Sequence, residues 1–286
     1  MEYAGVSLSV FIATNANWRE LWTPDVVMRM AMQGFSALAY MHTVFKILHH
    51  DIKPDNICIA YEGDNSPVIK LTDFGTSKTP ETAIGCGGRT PEYMSPEASR
   101  QYYAAKGSVF PECFLAEDIT GKSDVFAFGL TICYMLQGQH TVFLLWKDLL
   151  SLCSAQQFAA LRPKFIAHLA KNPNYIQVWG ITADLPVKTH ELLQCLLVGD
   201  PKIRLTAEEA LLYIQLQEQG QGFYTYHDSL KEPVPPGGGK DIKYSLCQKL
   251  LRRKSADPYH RQCSLTASGM TSKADAEEDK LPNSWT

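Results

Sequence analysis

The stretch His49-His50-Asp51-Ile52-Lys53-Pro54-Asp55-Asn56 is the segment around which the chain is organised. It places an acid, a cation and an amide close together, with a proline among them. Pro54 fixes its own φ angle and disfavours the helical conformation at Lys53, so the stretch is predicted to form a rigid turn rather than a helix. A rigid turn can hold reactive side chains in place at a small entropic cost on binding. We therefore expect the chemistry of the protein to be centred here.

A β-hairpin is predicted directly after this turn. Residues 57–60 and 68–72 form two short apolar runs separated by polar turn residues. Asp73-Phe74-Gly75 follows the second run, so the open end of the hairpin should bring Asn56 and Asp73 together. An amide oxygen and a carboxylate oxygen are suitable ligands for a hard cation such as Mg²⁺.

Helices are predicted on both sides of the hairpin. Thr23 and Pro24 form a helix start, with the threonine as N-cap and the proline at the first helical position. Apolar or small residues then recur at helical spacing up to the turn, at Val27, Met30, Gly34, Leu38 and Met41. Further predicted helices lie at residues 143–161, at residues 187–197 and after a capping box of Thr206 and Glu209.

The composition is that of an ordinary globular protein. The chain has 286 residues, of which 45% are hydrophobic and 20% are charged, and this size predicts one or two domains. A net charge of −3 gives no indication of a nucleic-acid partner. The eight cysteines are scattered without a Cys-x-x-Cys pair, so we expect free thiols in a reducing compartment and an intracellular, cytoplasmic location. The apolar run at residues 125–136 is too short to span a membrane and predicts a buried helix.

The order His-x-Asp-x-Lys-x-x-Asn, then Asp-Phe-Gly, resembles the catalytic and metal-binding loops of eukaryotic protein kinases. Later features resemble the same family: Ser95-Pro96-Glu97 closes a loop like the activation segment, Asp124 heads an apolar helix, and Arg204 follows. The resemblance extends over about residues 1–215 in family order. It implies an α+β, predominantly α-helical fold, namely a kinase C-terminal lobe with short β-hairpins at the cleft, formed by residues 1–219.

The resemblance also implies a reaction. A lysine two residues after the catalytic aspartate is typical of Ser/Thr kinases, so the expected cofactors are ATP and Mg²⁺ and the expected partner is a protein with a serine or threonine hydroxyl. The implied catalytic residues are Asp51, which accepts or orients the hydroxyl proton, Lys53, which contacts the transferred phosphate, and Thr90, which braces both. The implied metal ligands are Asn56 and Asp73.

The expected nucleotide-binding residues are Glu2 and Tyr3, in a segment that resembles the hinge between kinase lobes, and Cys58. Residues 42–49 are one residue longer than is usual in the family. His50 stands where many kinases have an arginine that captures an activation-segment phosphate. Control by such a phosphate is therefore expected to be absent or weakened.

Two structural contacts are implied as well. Asp124 is expected to brace the catalytic turn, although an aspartate before an apolar run could equally be a simple N-terminal cap. Arg204 is expected to pair with Glu97. Ser95 stands where the family motif has alanine.

The printed sequence has no Gly-rich loop and no strand lysine in a Val-Ala-Ile-Lys context, which in kinases belong to the smaller lobe. Our first hypothesis is a Ser/Thr kinase of which this chain is a truncated form, with poor phosphate transfer on its own. The alternative is a catalytically inactive scaffold that docks partners through residues 101–122 or the C-terminal tail. The presence of all four chemically required residues, Asp51, Lys53, Asn56 and Asp73, favours the first hypothesis.

Residues 220–286 differ in composition from the rest. Residues 233–239 are rich in proline and glycine and predict a linker. Apolar residues four apart predict a short amphipathic helix at 241–254, and the polar residues 266–286 predict a disordered tail.

Overall fold

The computed structural model describes residues 5–62, 66–82, 90–105, 107, 119–138 and 185–219. These all belong to the first of the two units into which the chain divides, Met1–Lys249. The predicted helix at 143–161 and the linker, helix and tail predicted within 220–286 lie outside the described residues.

The described residues form mainly helices together with one small sheet, in agreement with the predicted α+β class. The strands are β1 (Val6–Ser7), β2 (Ile57–Glu62) and β3 (Ser66–Leu71). The helices are α1 (Leu8–Thr14), α2 (Trp18–Leu21), α3 (Pro24–Tyr40), α4 (Pro96–Ala105), α5 (Gly121–Gln137), α6 (Val187–Leu196) and α7 (Ala207–Glu218).

The sheet is antiparallel in the order β1-β2-β3, and β2 and β3 form the predicted hairpin. Strand β2 continues to Glu62, two residues beyond its predicted end, and β3 begins at Ser66, includes Pro67 and ends at Leu71, whereas residues 68–72 were predicted. Pro67 is tolerated because β3 lies at the edge of this sheet, where a missing backbone donor breaks no ladder. Gln33 of α3 covers part of that edge: its side-chain amide donates to the Pro67 carbonyl at 3.0 Å and accepts from the Ile69 N–H at 2.9 Å.

Helix α3 begins and packs as predicted. Thr23 is the N-cap, accepting from the Val26 N–H, and Pro24 occupies the first turn. The predicted apolar face is buried, and Phe35 meets Phe128 of α5 edge to face at 4.9 Å between ring centroids. This contact anchors the helix that leads toward the turn at residues 49–56, which carries the predicted catalytic residues and is called the catalytic turn below.

Gly34 allows the close approach of α3 and α5, and Gly34→Ala is expected to destabilise the fold. A methyl group at this position would lie 2.0 Å from the Phe128 ring. Overpacking of this kind costs about 1–3 kcal/mol, while the better helix propensity of alanine returns about 1 kcal/mol. We therefore expect Gly34→Ala to have a lower unfolding free energy than the wild type, as measured by urea denaturation. Ser36→Ala, at an exposed position in the same helix, is the control and should not destabilise; equal stability of the two variants would contradict the expected clash.

A π-helical turn at Met41–Phe45 joins α3 to the catalytic segment. It ends at Lys46, which adopts the left-handed conformation with φ of 55°, and the Ile47 N–H bonds to the Met41 carbonyl at 3.2 Å. A π turn holds more residues per turn than an α turn, which is consistent with the additional residue expected within positions 42–49. The turn places His42 against α5.

Helix α5 is buried on all sides from Ser123 to Met135. Its N-cap is Thr120, whose hydroxyl accepts from the Lys122 N–H, so Asp124 lies inside the first turn and is not the cap. The helix ends at Gly138 with φ of 72°, where a side chain would collide with Trp18. Within the described part of the chain, no helix has both the length and the apolar character needed to cross a membrane.

A buried ion pair joins α4 to the segment before α7. Arg204 donates to both carboxylate oxygens of Glu97, at 2.6 and 3.0 Å, which confirms the predicted pairing. Glu97 lies in the first turn of α4 and not in a loop, since that helix begins at Pro96. The capping box of Thr206 and Glu209 at the start of α7 is also confirmed.

Candidate active site

Asp124 holds the start of the catalytic turn through backbone contacts. Its two carboxylate oxygens accept from the His49 N–H at 2.7 Å and the His50 N–H at 2.9 Å. The ring of His42 lies 3.0 Å from the same carboxylate. His50 has a φ of 71°, a conformation that a non-glycine residue keeps only when its surroundings hold it. Asp124 thus braces the turn, as the resemblance to kinases implied, and is not a simple helix cap.

The ionisation of Asp124 is tied to these contacts. Burial alone would raise its pKa, but the hydrogen bond and charge of His42, the charge of His50 and the His49 N–H outweigh burial and lower the pKa from 3.8 to about 2. A carboxyl group whose pKa is lowered in the folded state stabilises the fold above its unfolded pKa, and that contribution is lost as the pH falls through the folded pKa.

We therefore expect the stability difference between the wild type and Asp124→Asn to depend on pH. It should be larger at pH 6 than at pH 2 by about 2 kcal/mol, because the unfolded chain takes up a proton at Asp124 below about pH 4, whereas the folded wild type takes it up only near pH 2. Urea denaturation of both proteins across this range measures the difference. The exposed Asp25→Asn is the control, and a difference for Asp124→Asn that does not change with pH would contradict the assignment.

Asp51 is held by four donors and is almost fully buried. Lys53 Nζ donates to Oδ2 at 2.7 Å and Asn56 Nδ2 donates to the same oxygen at 2.9 Å. The Thr90 N–H and hydroxyl donate to Oδ1 at 3.0 and 2.8 Å. Burial disfavours the charged form, but Lys53 and Thr90 outweigh burial and lower the pKa of Asp51. The carboxylate is thus ionised and fixed in one orientation at neutral pH.

Lys53 and Thr90 complete this cluster. Lys53 Nζ also donates to the Thr90 hydroxyl at 2.8 Å. An ammonium group has three N–H bonds, and the described residues accept two of them, so the third is available to a ligand. The Lys53 side chain is 20% exposed, compared with 5% for Asp51. A phosphate could therefore reach the cation from solvent.

Asn56 and Asp73 are brought to the same end of the hairpin. The Asn56 amide nitrogen donates to the Asp51 carbonyl at 2.8 Å as well as to its carboxylate, which directs Oδ1 away from Asp51. Asp73 is exposed, has φ of 59° and ψ of 69°, and accepts from the Gly75 N–H at 3.3 Å. Thr72 links the two residues, because its N–H donates to the Asn56 carbonyl at 2.9 Å.

This donor set fits Mg²⁺. Mg²⁺ is usually bound by one or two carboxylates together with substrate phosphates and water, and one amide plus one carboxylate match that pattern. A cage made of protein alone would need more ligands, and the described residues contain no group of three or more His, Cys, Asp or Glu suited to a metal ion. Asn56 and Asp73 are thus the residues here that could hold the ion.

The structure describes only one of the three predicted nucleotide-binding residues, Cys58. Glu2 and Tyr3 lie outside the described residues. Cys58 is half-buried in β2, where it pairs with Ser7 of β1, and its Sγ lies 4.0 Å from the Thr72 hydroxyl. Cys58 is therefore near the end of the hairpin that carries the metal-ligand candidates.

Three further residues belong to this site although the sequence interpretation did not assign them to it. His42 contacts Asp124, Thr72 contacts Asn56, and Phe74 packs against the His49 ring at 5.2 Å between ring centroids. The threonine directly before Asp-Phe-Gly was the available signal for Thr72. No sequence pattern indicated His42, because its contact depends on the π-helical turn.

Comparisons with known proteins all identify similarity to protein kinases. The family model for the protein kinase domain matches residues 1–213. The chain is similar to the serine/threonine kinase NLK of Caenorhabditis elegans, with 30% identity over 71% of this chain and 32% of that protein. It is also similar to a mitogen-activated protein kinase of Fusarium vanettenii (28% identity, 71% of this chain, 55% of that protein) and to cyclin-dependent kinase 15 of Danio rerio (25%, 74% and 50%). The matched region spans between about a third and just over half of these relatives.

Proposed function

The chain belongs to the protein kinase family, and from this premise we propose that it transfers the γ-phosphate of ATP to a serine or threonine hydroxyl of a protein. One observation carries the proposal: the Asp51 carboxylate is ionised, buried and fixed by Lys53 and Thr90, with contacts of 2.7 and 2.8 Å. Because the Lys53 side chain is 20% exposed, a ligand can approach this pair from solvent.

In the proposed reaction, the substrate hydroxyl attacks the γ-phosphorus. A bond forms between the hydroxyl oxygen and phosphorus, the bond from phosphorus to the β,γ-bridging oxygen breaks, and ADP leaves. Asp51 orients the hydroxyl and accepts its proton, which is worth about 10²–10⁴-fold in rate. Phosphoryl transfer otherwise depends on positioning and on stabilisation of charge.

The neighbouring residues supply that positioning and charge. Lys53 would contact the transferred phosphate through its remaining N–H, as a point charge. Thr90 holds Asp51 and Lys53 in their relative positions, because its hydroxyl bonds to both side chains. The presence of Thr90 together with Lys53 supports serine or threonine as the acceptor. Asn56 and Asp73 hold Mg²⁺, which when bound neutralises phosphate charge. Glu2, Tyr3 and Cys58 remain the proposed contacts to the nucleotide.

The test is transfer from γ-labelled ATP to a protein substrate in the presence of Mg²⁺, followed by identification of the phosphorylated amino acid. We expect phosphoserine or phosphothreonine that requires Mg²⁺. Phosphotyrosine as the main product would contradict the proposed substrate class.

The same assay separates catalysis from a scaffold function. If the chain bound a protein partner with equal affinity after Asp51→Asn and Asp73→Ala, and transferred no phosphate, the non-catalytic alternative would be preferred. Docking through residues 101–122 or the tail remains part of that alternative. An intracellular, cytoplasmic location is also proposed, and the free thiols of Cys58, Cys133 and Cys195 support a reducing compartment.

A further inference from the structure

Thr72 makes two hydrogen bonds to one carbonyl group. Its backbone N–H donates to the Asn56 carbonyl oxygen at 2.9 Å, and its hydroxyl donates to the same oxygen at 3.0 Å. A carbonyl oxygen has two lone pairs and can accept both bonds. Thr72 lies just beyond the end of β3 at Leu71, so these bonds continue the hairpin by one residue past its regular ladder.

The other side of Thr72 is held as well. Its carbonyl oxygen lies 3.0 Å from His49 Nε2, so the ring can donate to it. His49 is buried at the start of the catalytic turn, where Asp124 holds its backbone N–H. Thr72 therefore connects the beginning of the catalytic turn to its end at Asn56.

Asp73 depends on this connection. Its φ of 59° lies in the left-handed region, which is disfavoured for residues other than glycine and persists only when the surroundings hold it. The Asp73 carboxylate itself accepts a long hydrogen bond from the Gly75 N–H, at 3.3 Å. The hydrogen bonds of the preceding residue, Thr72, therefore help to hold the backbone of Asp73 in this conformation.

Asn56 is the second residue that the hydrogen bonds of Thr72 hold in place. Its amide nitrogen is committed to Asp51, and its backbone carbonyl is committed to Thr72. With both groups held, the direction of the remaining amide oxygen is determined. Loss of the Thr72 hydroxyl would leave the Asn56 carbonyl with a single bond at the end of the ladder.

From this geometry we propose that Thr72 is a positioning residue whose hydroxyl fixes the spacing of Asn56 and Asp73 for a divalent cation. The inference rests on the proposed function, because it concerns the same nucleotide and metal site. Thr72 contacts the ligand-bearing residues and not the reacting atoms. Its effect should therefore appear first in metal affinity.

The experiment measures the affinity of the chain for Mn²⁺ in the presence of ADP, by electron paramagnetic resonance of the free ion. Thr72→Val removes the hydroxyl and keeps the shape of the side chain, and it should weaken Mn²⁺ binding about three- to tenfold, the range expected for one hydrogen bond. Thr72→Ser retains a hydroxyl and should stay within about twofold of the wild type.

Thr131→Val is the matched control. The Thr131 hydroxyl makes the same kind of bond, to the Ala127 carbonyl at 3.0 Å, but inside the buried helix α5. Its loss should reduce stability and leave Mn²⁺ affinity unchanged. Circular dichroism and urea denaturation of all variants verify that each is folded under the binding conditions, and Thr72→Ala replaces the valine variant if that variant is unfolded.

The outcomes are distinguishable. If Mn²⁺ does not bind to the wild type with ADP, the proposed metal site fails and this inference fails with it. If the wild type binds and Thr72→Val binds equally well, the inference is overturned while the proposed function stands. Equal weakening by Thr72→Val and Thr131→Val would mean that general stability is responsible, which also overturns the inference.

Discussion

Asp51→Asn is expected to lower the rate of phosphate transfer by about 10²–10⁴-fold, the usual value of general-base assistance. An amide cannot accept the hydroxyl proton. The substitution also places an NH₂ group where both carboxylate oxygens accept hydrogen bonds, two at Oδ1 and two at Oδ2. That mismatch should cost about 1–3 kcal/mol of unfolding free energy, so rates need to be compared where both proteins are folded.

Asp55→Asn is the matched control for this prediction. It removes the same charge four positions later in the same turn, but Asp55 is exposed and its carboxylate accepts from Ser9 at 2.7 Å rather than from Lys53. Transfer to a substrate without basic residues near its acceptor should be nearly unaffected. A similar loss in both variants would show that net charge, and not proton transfer to Asp51, limits the rate.

Glu97→Ala is expected to lower the unfolding free energy by about 3–5 kcal/mol, the cost of leaving one member of a buried ion pair without its partner. Arg204 is fully buried, and the Glu97 carboxylate is its counter-ion. Burial opposes ionisation of Glu97, but the charge and hydrogen bonds of Arg204 prevail and lower its pKa. The loss should be read from urea or thermal denaturation at neutral pH.

Asp25→Ala is the control for the stability that any acidic residue contributes in the first turn of a helix. Asp25 and Glu97 both lie in the first turn of a helix, where an acid is worth about 0.3–1 kcal/mol, but Asp25 is exposed. The double variant Glu97→Leu with Arg204→Met should recover part of the loss, because no buried charge remains unpaired. A double variant that is less stable than Glu97→Ala would contradict this explanation. The stability lost in Glu97→Ala would then not come from the unpaired charge of Arg204.

Local features of the fold could be predicted from the sequence alone. The N-cap at Thr23, the capping box of Thr206 and Glu209, and the hairpin of β2 and β3 all follow from residues within a few positions of one another. Cap and hairpin geometry depend on backbone groups that are close in the chain. For this reason the sequence predicts them without any tertiary information.

The long-range contacts of the candidate site were accessible from the sequence only through its resemblance to kinases. Thr90 contacts Asp51 across 39 positions, His49 contacts Asp124 across 75, and Arg204 contacts Glu97 across 107. Neither helical spacing nor strand alternation carries information about pairs at such distances. The family pattern supplied these pairs as expectations, and the structure supplied their geometry.

The sequence by itself determined the order of the chemical groups, the boundaries of the short-range elements and the kinase-like pattern of this chain. Only the tertiary structure decided that a π-helical turn directs His42 to Asp124 and that the Thr72 hydroxyl bonds to the Asn56 carbonyl. Both contacts depend on how helices and strands pack after they form. The directions of individual side chains at a junction are set by that packing, because local propensity allows several of them.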